Sequence, residues 1–166
     1  MILFILPGTL PGFERDDKFF IDTFDKDWVW GKLGLLSQRA CAKEYKAKAL
    51  IVCDDIITEI ERSGKDKAIE DLIFRRRWLF PNVEVSWVVA SQYFNLVPRK
   101  FRLCYTHVIL FNLPPIEFSQ ISKFYAFVKH QDSKFDLMRI HLSKKHNFVL
   151  FHLDESLIFL NFQTVL

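Results

Sequence analysis

The sequence predicts an α/β fold in which helices flank a mostly parallel sheet. Short apolar runs alternate with longer segments of helical spacing along the chain, which is the pattern of parallel strands joined by crossover helices. Two of these runs, ALIVC (49–53) and SWVVA (86–90), are apolar without alternation. Such runs are typical of strands that are covered on both faces of the sheet.

The predicted strands are short apolar runs at Ile2–Leu6, Ala49–Cys53, Val83–Ala90, His107–Phe111 and Phe148–Leu153. Helices are predicted over 27–46, 66–78 and 116–129, because apolar side chains recur there every three or four residues. Proline and glycine fall between these elements, as at Pro81-Asn82 and Pro114-Pro115. Such residues interrupt regular structure and so mark the boundaries.

Composition bounds the class of protein. The 166 residues are 50% apolar and 26% charged, which is enough for one packed domain over 1–166 and excludes a disordered chain. The net charge of +3 is too small to indicate nucleic-acid binding by itself. No apolar stretch reaches the roughly 18 residues of a membrane span, and the opening MILFIL lacks the basic segment of a signal peptide. The sequence therefore predicts a soluble, intracellular protein that is neither secreted nor membrane-bound.

Cysteine and histidine follow no ligand pattern. The three cysteines, Cys41, Cys53 and Cys104, are far apart and not in CxxC spacing. This arrangement favours a reducing compartment over a disulfide framework or a zinc site. The histidines form no HExxH pair and are interpreted as ordinary packing or surface residues: His107, His130, His141, His146 and His152.

An acidic pair follows the second predicted strand. In KALIVCDDII (48–57) the apolar run leads directly into Asp54 and Asp55. Adjacent carboxylates repel each other, and burying them is costly unless a cation lies nearby. Ligands of parallel sheets gather at the carboxyl ends of the strands, where Ser91-Gln92 follows the next strand. Both a solvated turn and a metal-binding pair fit this pattern.

A metal-binding pair at this position has two interpretations. A phosphoacceptor domain needs a further aspartate at another strand end, but the next strands end in Ser91-Gln92 and Asn112-Leu113, so we exclude it. In a Walker B strand, the first acid helps to hold Mg²⁺ on a triphosphate and the second polarises the attacking water. A polar amide on the next strand, such as Gln92, could then position the phosphate or the water.

The order of several segments resembles one family. KALIVCDDI, then LIFRRRW, then SWVVASQYFNLVPRKFRLCYTHVILF resembles the genome-packaging ATPases of large DNA viruses and of Maverick/Polinton elements, in the FtsK/HerA branch of the P-loop NTPases. FILPGTLPGF resembles the strand and turn after that family's first helix, and HNFVLFHLDESLIFLNF resembles its closing strand pair. The resemblance implies a three-layer P-loop NTPase-like fold. It also implies that 1–166 is the C-terminal part of an NTPase core, from the Walker B strand onward plus the preceding strand.

The resemblance implies roles for individual residues. Asp54 matches the acid that binds Mg²⁺, directly or through water, and Asp55 matches the catalytic acid. Gln92 matches the sensor glutamine. Arg75 and Arg77 match the arginines, one of which would reach the γ-phosphate of a neighbouring subunit. The downstream signature is matched by Pro98, Arg102, Thr106 and His107. The implied cofactors are ATP and Mg²⁺.

The sequence departs from the family in its phosphate-binding half. GxxxxGK[ST] does not occur, and the nearest segment, Trp30-Gly31-Lys32-Leu33, lacks the leading glycine and the Ser or Thr. That loop binds phosphate through backbone N–H groups and a lysine. We therefore expect an N-terminally truncated fold without a central strand, the one flanked in the family by the sensor strand and the strand after it. Arg76 and Trp78 also replace a glycine and a histidine of the family, and Leu79–Asn82 adds residues before the sensor strand.

The resemblance implies a fragment of an ATP-driven motor that moves double-stranded DNA into a capsid, inactive by itself. Its implied partners are double-stranded DNA, further subunits in a ring, and capsid portal or capsid proteins. The alternatives are a non-catalytic accessory or DNA-binding subunit that pairs with an intact ATPase subunit, or a decayed element copy. The implied location is the host cytoplasm, nucleus or virus factory.

Overall fold

The computed structural model describes residues 2–5, 20–21, 24–55, 66–125 and 132–165. The chain divides into two compact units, Met1–Phe101 and Arg102–Leu166, and each is described by itself. The assignment of 1–166 to a single domain stays a prediction.

The first unit is built on a parallel sheet. Its strands are β1 (Ile2–Ile5), β2 (Phe20–Ile21), β3 (Ala47–Asp54) and β4 (Val83–Ala90). They lie in the order β2-β1-β3-β4, and every neighbouring pair is parallel. Helix α1 (Lys26–Ala42) precedes β3 and helix α2 (Asp66–Leu79) precedes β4, as crossover connections require. The predicted α/β class with a parallel sheet is confirmed.

Helix α1 is fixed at its start by a cap and along its length by packing. The Asp25 carboxylate accepts a hydrogen bond from the Trp28 N–H at 3.0 Å, which satisfies one of the free donors of the first turn. Val29, Leu33 and Ala40 are buried at helical spacing, and the helix contacts β3 and β4. The predicted helix over 27–46 was too long, because Glu44 adopts a left-handed conformation with φ 52°.

The parallel sheet is covered on one face. Alternate residues of β3 and β4 that pair in register are buried or half-buried: Ala47 with Val83, Ala49 with Val85, Ile51 with Trp87, and Cys53 with Val89. On the opposite face Glu84, Ser86 and Ala90 are exposed, and Val88 is 48% exposed. The expectation that SWVVA is covered on both faces was therefore wrong. Apolar and polar residues do not alternate in this segment, but exposed and half-buried residues do.

A 3₁₀ turn (Phe94–Leu96) and a four-residue helix, α3 (Arg99–Arg102), follow β4. In the second unit the sheet is antiparallel, with the strand order β5 (His107–Leu110), β6 (Val149–His152), β7 (Leu157–Leu160) and β8 (Thr164–Val165). The predicted closing strand pair is confirmed as β6 and β7. The prediction of a mostly parallel sheet does not extend to this unit, because each neighbouring pair of its described strands is antiparallel.

Two helices of the second unit precede β6. Helix α4 (Pro115–Phe124) begins at tandem prolines, as is common for the first helical position. It corresponds to the predicted helix over 116–129, of which 126–129 lie outside the described residues. Helix α5 (Asp132–Leu142) was not predicted. The core of the unit includes Met138, Val149 and Phe151, each with no exposed area.

Candidate active site

The acidic pair lies where β3 ends. Asp54 is the last residue of the strand and pairs in register with Ala90, the last residue of β4. The Asp55 N–H continues the ladder by donating to the Ala90 carbonyl at 3.1 Å. The carboxyl ends of both strands therefore lie at one level. Asp54, Asp55 and Gln92 come together there, at the edge of the sheet where α/β proteins bind ligands.

A left-handed residue turns the second carboxylate toward Gln92. Asp55 has φ 52°, a conformation that aspartate tolerates better than most residues. Its carboxylate accepts hydrogen bonds from the Gln92 side-chain Nε2 at 2.7 Å and from the Gln92 backbone N–H at 3.4 Å. Among the residues that the structure describes, the Gln92 side chain uses only its amide nitrogen, and its amide oxygen can accept a further hydrogen bond.

The segment after β4 is held by Ser91. The Ser91 hydroxyl donates to the Tyr93 carbonyl at 3.0 Å and accepts from the Tyr93 N–H at 3.4 Å. This reciprocal pair forms a local turn around Gln92. Ser91 thus fixes the backbone on either side of the residue that contacts Asp55.

Asp54 points to the open face of the sheet. Its side chain is exposed, and it follows Leu50 and Val52 on the face opposite Cys53. Within the described ranges no group of three or more His, Cys, Asp and Glu side chains is arranged to hold a metal. A Mg²⁺ site does not require such a group, because Mg²⁺ keeps several waters and uses one or two carboxylates together with phosphate oxygens. Two exposed carboxylates fit that kind of site.

Cys53 takes no part in this surface. Its side chain lies on the covered face, and burial raises the pKa of the thiol to about 12. The thiol is therefore protonated at neutral pH and is neither a nucleophile nor a metal ligand.

The predicted arginines lie on α2. The Arg75 guanidinium is 3.6 Å from the Asp71 carboxylate, one turn earlier on the helix, and its side chain is 71% exposed. Arg77 is exposed in the last turn, where a cation complements the helix dipole. Side chains two residues apart on a helix do not share a face, so Arg75 and Arg77 point in different directions. Among the described residues, neither is hydrogen-bonded or ion-paired to Asp54, Asp55 or Gln92.

Three of the four residues of the downstream signature make structural contacts in the second unit, whereas Pro98 lies in the first unit, where its carbonyl accepts from the Phe101 N–H at 2.9 Å. The Arg102 guanidinium lies 4.6 Å from the centre of the Phe124 ring. The Thr106 hydroxyl and His107 Nδ1 are 2.9 Å apart, and the rings of His107 and His152 meet edge to face at 4.4 Å. These two histidines are direct cross-strand neighbours on β5 and β6, which accounts for their contact.

Two features of this site were not predicted from the sequence. The first is the left-handed turn at Asp55, for which an aspartate directly after a buried strand is a weak signal. The second is the open face beside Asp54. The sequence indicates this open face only through the alternation of Glu84 and Ser86 with valines.

The fold is α/β, and the carboxyl edge of its parallel sheet carries Asp54, Asp55 and Gln92. A search of solved structures finds the genome packaging NTPase B204 from Sulfolobus turreted icosahedral virus 2, in complex with ATP-γ-S. The match has a TM-score of 0.62 and 13% sequence identity, and it covers 96% of this chain and 79% of that chain. At that identity the likeness is one of fold.

Sequence comparisons add no relative. No protein-family model matches the chain, and no curated protein matches it. Each helix in the described ranges is too short or too polar to cross a bilayer.

Proposed function

We propose that Asp54, Asp55 and Gln92 form the carboxylate half of an ATP-hydrolysing site of the genome-packaging class. The observation that carries the proposal is the hydrogen-bonded pair of Asp55 and Gln92 beside Asp54, at the carboxyl edge of a parallel sheet. The fold shared with a packaging NTPase supports it. A solvated turn would not need an amide aimed at the second carboxylate.

Each residue has a distinct part in this proposal. Asp54 would hold Mg²⁺, directly or through water, and a bound ion would supply positive charge beside the triphosphate. Asp55 accepts a hydrogen bond from the attacking water and orients it toward the γ-phosphate. Gln92 holds the Asp55 carboxylate in place through its Nε2 and directs its amide oxygen toward the same water. Adjacent positions suit this division, since one side chain serves the metal and its neighbour serves the water.

The larger assembly is also part of the proposal. A ring of subunits would let Arg75 or Arg77, both solvent-accessible on α2, reach the γ-phosphate bound by a neighbour. An arginine supplied in this way stabilises charge in the transition state. The ring would act on double-stranded DNA and would contact capsid or portal proteins. Membership of the FtsK/HerA branch belongs to the same proposal.

A nucleotide titration followed by amide NMR tests the carboxylate half. We expect Mg·ATP-γ-S to bind the purified chain weakly, with a Kd of about 1 mM or higher, and to shift the amide signals of Asp54, Asp55 and Gln92. Asp54→Asn and EDTA should each remove these shifts. The Asp136→Asn variant is the matched control, because Asp136 is an exposed acid on α5.

The same experiment separates a second class of function. Amide shifts that occur without Mg²⁺ and persist in the Asp54→Asn variant would contradict the proposal. Binding to duplex DNA that weakens with salt and needs no nucleotide would instead favour a non-catalytic, DNA-binding subunit that uses Lys and Arg of 56–166. That alternative has one observation in its favour, because the sequence contains no GxxxxGK[ST].

A further inference from the structure

Two histidines pair at one end of the antiparallel sheet of the second unit. His107 begins β5 and His152 ends β6, and the two residues are partners in register. The Leu153 N–H donates to the Thr106 carbonyl at 2.8 Å, so the adjacent pair of residues is a hydrogen-bonded one. His107 and His152 therefore form a non-hydrogen-bonded pair, the kind in which side chains of an antiparallel ladder lie closest together.

The two imidazole rings meet on one face of this sheet. Their centroids are 4.4 Å apart and their planes are at 83°. Both rings reach solvent, because His107 is exposed and the side chain of His152 is 23% exposed. Among the described residues each Nδ1 atom has a partner nearby in the sequence, and neither Nε2 atom has a hydrogen-bond partner. Two imidazole nitrogens with available lone pairs are thus held side by side at the surface.

The neighbours of the Nδ1 atoms are oxygen atoms that can orient both rings. The Thr106 hydroxyl lies 2.9 Å from Nδ1 of His107. Nδ1 of His152 accepts from the Glu155 N–H at 3.3 Å and lies 3.8 Å from the Glu155 carboxylate, whose exposed side chain can rotate closer. An oxygen that accepts from Nδ1–H leaves the lone pair on Nε2, and metal-binding histidines are commonly held in this way.

We propose that His107 and His152 bind Zn²⁺ or a similar divalent transition-metal ion through their Nε2 atoms, and that the ion fastens β5 to β6. Imidazole nitrogen suits Zn²⁺, whereas Mg²⁺ prefers oxygen. The described residues contain no group of three His, Cys, Asp or Glu side chains that could hold a metal, so water completes the coordination. Thr106 and Glu155 are positioning residues for the two rings. The inference is independent of the proposed ATP-hydrolysing site.

NMR of the histidine rings tests the proposal on the full, untagged chain, titrated with ZnCl₂ in the absence of nucleotide. We expect Zn²⁺ to shift the ring signals of His107 and His152, and the ¹⁵N signals of the bound form to report Nδ1–H on both rings. The ring of His146, an exposed histidine of the same unit, should not respond. Mg²⁺ at the same concentration should shift neither ring of the pair. Failure of Zn²⁺ to shift both rings of the pair would overturn the proposal.

Calorimetric titration of variants with Zn²⁺ locates the ligands. His107→Gln and His152→Gln should each weaken Zn²⁺ binding by about 100-fold or abolish it, because a single imidazole cannot chelate the ion. His146→Gln is the matched control and should leave the affinity unchanged. Binding that survives both substitutions in the pair would overturn the assignment. Binding that is lost in Cys104→Ser would also overturn it, in favour of a thiol ligand.

Variants of the turn after β6 test the positioning role of Glu155. Glu155→Ala should weaken Zn²⁺ binding by about tenfold. Glu155→Gln should restore most of the affinity, because its amide oxygen can still accept from Nδ1–H of His152. Asp154→Ala removes a neighbouring exposed acid and should have no effect. An equal loss in Asp154→Ala would indicate a general effect of charge and would overturn the role of Glu155.

Thermal unfolding tests whether the ion fastens the two strands. Zn²⁺ at about 100 times its Kd should raise the melting temperature by roughly 5 °C or more, because the ion binds the paired strands and not the unfolded chain. His152→Gln should remove the rise, and Asp54→Asn should keep it. Binding without a rise would keep the metal site and overturn the fastening. If His152→Gln fails to fold, the ring titration of the unchanged chain decides the proposal by itself.

Discussion

The purified 166-residue chain is expected to release phosphate from Mg·ATP no faster than buffer does. The sequence has no GxxxxGK[ST] loop, and the described site offers two carboxylates and an amide to a ligand that is itself an anion. Each carboxylate–phosphate pair at about 4 Å costs roughly 1 kcal/mol in water, and among the described residues no loop of this kind offers fixed donors that would offset the repulsion. Productive binding is therefore lost, and with it turnover.

A phosphate-release assay checks this expectation, with Asp55→Asn as the companion variant. The variant should give the same rate as the unchanged chain, because neither has activity to lose. Turnover in the unchanged chain that Asp55→Asn abolishes would contradict the expectation, since the chain would then contain its own phosphate-binding half. Turnover that survives Asp55→Asn would indicate a contaminating ATPase.

The second large effect concerns stability: an aspartate introduced on the covered face of the parallel sheet should lower the free energy of unfolding far more than one introduced on the open face. Ile51 has no exposed area, so Ile51→Asp buries an unpaired carboxylate and removes a core side chain. The free energy of unfolding should fall by about 5 kcal/mol, which is comparable to the whole stability of many domains. Val88→Asp adds the same charge on the open face, where Val88 is 48% exposed, and should cost about 1 kcal/mol or less.

Urea denaturation followed by circular dichroism compares these two variants. Equal losses of stability would contradict the one-sided sheet and would restore the expectation of cover on both faces. The comparison is matched, because both substitutions replace a β-branched residue with aspartate on neighbouring strands.

Three of the four parallel strands, β1, β3 and β4, could be predicted because their signal is local, whereas the two-residue strand β2 was not predicted. An apolar run that ends at an acidic pair is visible in the sequence, and so are the Ser-Gln after β4 and the turn residues between the strands. The predicted bounds of Val83–Ala90 agree with those of β4. Helix α5 was missed because polar residues interrupt its apolar ones, and two of its apolar residues, Leu137 and Ile140, are exposed. A helix whose apolar residues do not form one continuous face shows little of the periodicity from which helices are predicted.

The geometry of the site could be predicted only in part. That Asp54, Asp55 and Gln92 share one edge follows from the rule for parallel strands. The contact between Asp55 and Gln92 depends on a left-handed residue and on the turn at Ser91, which involve the backbone rather than the apolar pattern. The open face could not be predicted either, since valine occurs on covered and on exposed faces of strands alike.

Paramagnetic broadening by Mn²⁺, used in place of Mg²⁺, tests the central claim most directly. We expect Mn²⁺ to broaden the amide signals of Asp54, Asp55 and Gln92, and Asp54→Asn to remove the effect. Asp154→Asn, in the adjacent acidic pair Asp154-Glu155 of the turn between β6 and β7, should leave the broadening unchanged. Broadening that is absent at Asp54, or that survives Asp54→Asn, would contradict a divalent-cation site at the end of β3.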